Sequence, residues 1–169
     1  MIDNEPETLV NKVINGQFNT LTNIPLSALQ LPPCFSVHRN GVDETGFTDS
    51  VYAQILWTTE VYDVGGHFAS SAWTPPAGKV HLILSAYMTG TVTNGNWAAC
   101  AIHKNGSALK TNIVGVSSGT GGIPHVVCED IANGTDVYTA WGYLDVDSGT
   151  GTANGAANLT FFMGHWISA

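Results

Sequence analysis

The chain has 169 residues, of which 44% are hydrophobic and only 11% charged, with 19 glycines. An ordinary soluble domain carries about 25% charge, so this chain is expected to fold and to hide more surface than a lone subunit can. Five lysines and arginines against 13 aspartates and glutamates give a net charge of −8, the wrong sign for binding nucleic acid through counterion release or for an anionic membrane surface.

The N-terminus, Met1-Ile2-Asp3-Asn4-Glu5-Pro6-Glu7, is acidic and lacks the apolar run of a secretory signal. The best helical window is Glu5–Val13, short and poorly amphipathic, with Pro6 where a first turn tolerates it. A polar–apolar mixture follows, and then Pro25, Pro32 and Pro33 interrupt the chain. Leu31-Pro32-Pro33 should hold the backbone extended and stiff. Residues 1–33 therefore read as an attachment arm and residues 34–169 as a separate head. The alternative is an N-terminal strand pair packed on that head.

Beyond residue 34 the signals are those of strands. Asn-Gly pairs at 40–41, 94–95, 105–106, 133–134 and 154–155, with another at 15–16, mark candidate tight turns. The strongest strands are expected at Phe35–Arg39, Ile55–Tyr62, Gly78–Tyr87, Trp97–Lys104, Val137–Leu144 and Leu159–Ile167. Shorter ones are expected near His67–Trp73, Ile113–Val116 and His125–Glu129. With no crossover helices, this pattern predicts an all-β antiparallel sandwich or jelly roll. Strand side chains alternate between faces, yet the last two long strands are apolar on both. Another copy of the chain is the most economical cover for the second face.

Catalytic signals are missing. The six histidines form no HxH or HExxH pair, and no GxSxG, P-loop or GxGxxG occurs. The Gly-rich run Ser117–Gly122 lacks the lysine and following helix of a phosphate loop. No enzyme activity, cofactor or resident metal is expected. Asp145 and Asp147, with Asn154, could coordinate calcium, but the later bidentate acid is absent and a solvated tip is the simpler reading. Asp43, Glu44 and Asp49 form a second acidic loop read the same way. Trp97, Trp141 and Tyr143 near strand ends, flanked by polar tips, could stack on sugars; the candidate ligand residues are Trp97, Asn96, Asp145, Asp147 and Asn154. Cys34, Cys100 and Cys128 read as buried free thiols, with a Cys100–Cys128 bridge conditional on neighbouring strands.

Several segments together resemble a known head. Phe35-Ser36-Val37-His38-Arg39 is similar to the first strand of the complement component 1q and tumour necrosis factor jelly roll. Trp57–Phe68 resembles its strand and Gly-rich turn, and Trp73-Thr74-Pro75-Pro76-Ala77-Gly78 its aromatic-Thr-x-Pro-x-x-Gly signature. His103-Lys104-Asn105-Gly106, Asn133–Tyr138 and Phe161–Ile167 continue the order through the end of the chain. The resemblance implies a homotrimeric jelly roll, with aromatics lining a threefold axis. On the two-faced strands, Tyr138, Trp141, Tyr143, Phe161, Phe162, Met163, His165 and Trp166 are the expected interface. Val10–Asn19 resembles the opening of many bacteriophage tail-fibre and virion appendage proteins. That likeness implies a virion location, with Val13, Ile14 and Phe18 attaching the arm to other virion proteins (capsid, portal or tail). The expected role is a surface fibre or spike head contacting a host surface glycan or protein. A capsid decoration protein is the first alternative and a small glycan-active enzyme the second.

Overall fold

The computed structural model describes residues 31–168; the helical window at Glu5–Val13, the Asn15-Gly16 pair and the attachment residues Val13, Ile14 and Phe18 lie outside them. The described part belongs to a compact unit beginning at Leu31. It contains fourteen strands and no helix. In chain order these are β1 (Cys34–His38), β2 (Glu44–Phe47), β3 (Ala53–Gln54), β4 (Thr59–Val64), β5 (Phe68–Ala69), β6 (Ala72–Trp73) and β7 (Gly78–Ser85). Then follow β8 (Met88–Thr91), β9 (Trp97–Lys104), β10 (Ser107–Gly115), β11 (His125–Ala132), β12 (Tyr138–Leu144), β13 (Ser148–Ala153) and β14 (Phe161–Ser168).

Every strand pairing is antiparallel. The first sheet runs β11-β7-β14-β1-β4 and the second β10-β9-β12-β6-β5, with β3 also on β12. A third, β2-β13-β8, has three strands. Alternation sends Phe35, Val37, Leu82, Leu84 and Phe162 inward from the first sheet, and Cys100, Ile102, Tyr138, Ala140 and Leu144 inward from the second. The ring of Phe35 lies at the centre of this core, 4.9 Å from each of Phe68, Trp73 and Phe162.

The expected long strands are present at nearly the expected places, with one exception. Ile55–Tyr62 is broken, and its ladder restarts only at Thr59. Side chains take over the backbone in the gap: Leu56 N–H donates to Glu44 at 3.0 Å, while Arg39 donates to the Leu56 carbonyl. Arg39 and Glu44 are themselves paired at 2.9 Å. The third sheet has no counterpart in the sequence reading, because Ser148-Gly-Thr-Gly-Thr-Ala carries no apolar alternation. Strand β10 extends well beyond the expected Ile113–Val116; it is an edge strand, mostly exposed, with a bulge between Ala108 and Lys110.

Turn chemistry follows the sequence where the backbone demands it. Asn105 and Gly106 have φ of 51° and 80° and close the β9–β10 hairpin, as a type I′ turn requires. Gly155 is required for another reason, since a Cβ there would lie 2.4 Å from the Val42 nitrogen.

The cysteines are free. Cys100 sits on β9 in the second sheet and Cys128 on β11 in the first, so the neighbouring-strand condition for a bridge is not met. Burial pushes the Cys100 thiol up to about 12 and the Cys128 thiol up to about 11, leaving both as protonated packing groups.

Candidate functional site

The second sheet shows its outer face through β9, β10 and β12. Ala99 stands opposite both Tyr143 and Ile113 in register, and Trp141 lies opposite Ala101. Tyr52, just before β3, packs its ring 5.0 Å from that of Tyr143. The small, fully buried Ala99 leaves the space between its large neighbours open. The result is a cleft of about 510 Å³ lined by Tyr52, Trp97, Ile113 and Tyr143, within the size range of small-molecule sites. Trp97 is 52% and Ile113 58% exposed.

A polar network holds one end of this cleft. Asp145 N–H donates to the Trp97 carbonyl at 2.9 Å. Asn96 Nδ2 donates to the Asp145 carbonyl at 3.2 Å and to Asp147 Oδ1 at 3.1 Å. Asp147 Oδ1 also accepts from Thr93 at 3.3 Å. Ser50 Oγ approaches Asp145 Oδ1 at a long 3.4 Å, and Asp49 accepts from Val146 N–H at 3.0 Å.

Four of the five expected ligand residues, Trp97, Asn96, Asp145 and Asp147, are thus brought together. Asn154 is not among them. It lies past the other end of β13, where its N–H donates to the Tyr87 carbonyl and its side chain accepts from Ala156 N–H. The calcium alternative that needed Asn154 is therefore not assembled, and no group of three metal-ligating side chains forms among the described residues. Asp43, Glu44 and Asp49 each accept a structural hydrogen bond. Sequence reasoning missed Tyr52 and did not connect Ile113 with the cleft. The available signals were an aromatic beside a short strand and an isolated large apolar residue on an edge.

Trp141 shares the outer face but not the cleft. Its indole N–H donates to Thr139 at 2.8 Å, and its ring stacks on His103 at 4.5 Å and 14°. His103 Nδ1 is buried without a partner. Burial holds this imidazole below its usual pKa, against a smaller opposing pull from the Gly106 backbone. The unfolded histidine takes its proton near pH 6.5 and the folded one only lower. Stability is therefore present above that value and declines as pH falls toward the folded pKa. The thermal midpoint should drop between pH 7 and pH 5, and His103→Gln should flatten that part of the profile. An unchanged acid limb in the variant would remove His103 as its source.

No strand among the described residues covers the outer face of the first sheet. Cross-strand register aligns Val127, Ile83, Met163, Ser36 and Tyr62 in one row, and Glu129, His81, His165, Cys34 and Val64 in the next. Val127 is 54% and Ile131 65% exposed. The rings of His81 and His165 lie 5.1 Å apart, and Lys79 pairs with Glu129 at 2.6 Å.

Of the expected interface residues, Phe161, Met163 and His165 are on this face. Tyr138 and Phe162 are corrected: both point inward and are fully buried, so neither can meet another copy. The Tyr138 hydroxyl is satisfied inside its own subunit, donating to Asp130 at 2.7 Å. Lys104 joins that carboxylate at 2.7 Å and Asp136 at 3.1 Å. Burial pushes Asp130 up, but the hydrogen bonds from Lys104 and Tyr138 outweigh it and lower the carboxyl. Trp166 packs against the core and donates its indole N–H to the Ala77 carbonyl at 3.0 Å. Trp141 and Tyr143 belong to the opposite sheet, facing away from the row of Met163.

No protein-family model matches the sequence, and no curated protein sequence matches it. Solved structures do match the fold. The globular domain of zebrafish complement 1qA protein aligns with a TM-score of 0.54 at 12% identity, covering 80% of this chain and 97% of that one. Murine APRIL aligns at 0.58 with 11% identity, covering 80% and 98%. Eiger TNF from S. frugiperda gives 0.53 with 8% identity over 82% and 94%. Two facing antiparallel sheets, in the strand order described, give residues 31–168 the jelly-roll fold of the complement 1q and tumour necrosis factor domains.

Proposed function

We propose that this chain is a non-enzymatic, homotrimeric jelly-roll head carried on a phage or phage-like particle, where it contacts a host surface glycan or protein. The carrying observation is the difference between its two outer faces. One is a mixed sheet surface on which Val127, Ile131 and Tyr62 are exposed and Met163 half-buried beside His81, His165 and Glu129, suited to packing around a threefold axis against a second and third copy. The other is concave and aromatic, suited to a ligand. The virion location rests on the resemblance of Val10–Asn19 to phage appendage openings, with residues 1–33 as the attachment to capsid, portal or tail. Light scattering on the dilute full-length chain should give three times the 17.8 kDa chain mass, and the trimer should adhere to whole host cells. A stable 17.8 kDa species would overturn the proposal. A trimer that ignores cells but raises the temperature at which empty particles open would replace adhesion with shell decoration.

A further inference from the structure

We infer that the cleft between Tyr52, Trp97, Tyr143 and Ile113 takes uncharged pyranose rings and rejects acidic sugars, an inference that rests on the binding role proposed above. Three aromatic side chains present flat apolar surface with polar edges, the chemistry that receives the C–H face of a sugar ring while leaving its hydroxyls free to bond. The cleft volume of about 510 Å³ is larger than a compact ammonium cage needs. Its fourth wall, Ile113, offers no π-face to a cation.

Charge decides the class of sugar. Every described cation is placed elsewhere. Arg39 is buried against Glu44, and Lys79 pairs with Glu129 on the first sheet. Lys104 ends the far side of β9 with Asp130 and Asp136, and Lys110 stands opposite Ile102 on the edge strand. The nearby acids are Asp145, whose backbone is bonded to Trp97, and Asp49, in the loop leading to Tyr52. The Asp145 carboxylate, with only a long contact from Ser50, retains acceptor capacity for sugar hydroxyls. A uronic or sialic carboxylate brought to the same place meets a like charge and no counterion among the described residues.

The test uses the full-length chain and a panel of probes: maltose, lactose and cellobiose, their uronic acid counterparts, sialyllactose, and tetramethylammonium. Calorimetry should detect at least one neutral disaccharide. Trp97→Ala and Tyr52→Ala should each abolish that signal while keeping the far-ultraviolet spectrum and thermal midpoint of a folded chain. The matched acidic sugar should bind about tenfold more weakly or worse, from like-charge repulsion, and Asp145→Asn should narrow the gap. Equal or tighter binding of the acidic sugar, binding of tetramethylammonium alone, or no binding by any neutral probe would overturn the inference. If trimers still adhere to cells after Trp97→Ala, the cleft assignment falls and the head's binding role stands. If the parent chain neither trimerises nor adheres, the role itself falls.

Discussion

Replacing Phe35 with alanine should lower the unfolding free energy by about 3–5 kcal/mol, the range for removing a buried aromatic side chain. The ring is fully buried and has Phe68, Trp73 and Phe162 each at 4.9 Å. These neighbours come from β5, β6 and β14, so deleting Phe35 removes the contact that joins the two sheets from the middle. The cavity cannot collapse easily, because β1 is held in register on one side by β14 and on the other by β4. Small domains are stable by about 5–15 kcal/mol in total, so the variant should be near the edge of folding. Urea unfolding should show a much lower midpoint with an unchanged slope. A shift under about 1 kcal/mol, well short of that cavity range, would place the centre of the core elsewhere.

Val127→Glu should convert the proposed trimer to single chains. Val127 is 54% exposed in the isolated subunit, so the substitution leaves folding almost untouched, as surface changes do. Buried between copies, the new carboxylate would lose its water beside Glu129, one row away on the same face. An uncompensated buried charge costs several kcal/mol. Light scattering should therefore fall from three times 17.8 kDa to 17.8 kDa, with little change in the circular dichroism spectrum. Thr111→Glu adds the same charge on the exposed strand β10 and should stay trimeric. Persistence of the trimer in Val127→Glu would move the assembly surface off the first sheet.

The fold was legible because its long strands announce themselves through alternating β-branched and aromatic residues between Asn-Gly turns. The Asn94-Gly95 and Asn105-Gly106 pairs bracket Trp97–Lys104, and both ends of that strand are where they imply. The short third sheet was not legible, since Ser148–Ala153 pairs through backbone groups that any residue supplies. Side-chain direction was harder than strand position. Tyr138 and Trp141 are three apart on one strand and so face opposite ways, yet sequence alone does not say which face is interior. Apolar character on both sides made Phe162 look like an interface residue when it is core. The cleft was half legible. Trp97, Asn96, Asp145 and Asp147 cluster through the β9–β12 ladder, whereas Tyr52 arrives just before the two-residue strand β3, too short to show an alternation in sequence.

The outermost strand of the second sheet has a consequence for crowding. Among the described residues strand β10 has a hydrogen-bonding partner only in β9, so its other margin is there an incomplete ladder of the kind that seeds fibrils. The irregular step at Ala108–Lys110 breaks the even spacing that a foreign strand would need, and Lys110 sets a hydrated charge on that margin. Many copies held shoulder to shoulder can therefore sit at high local density without zipping into a continuous cross-β polymer.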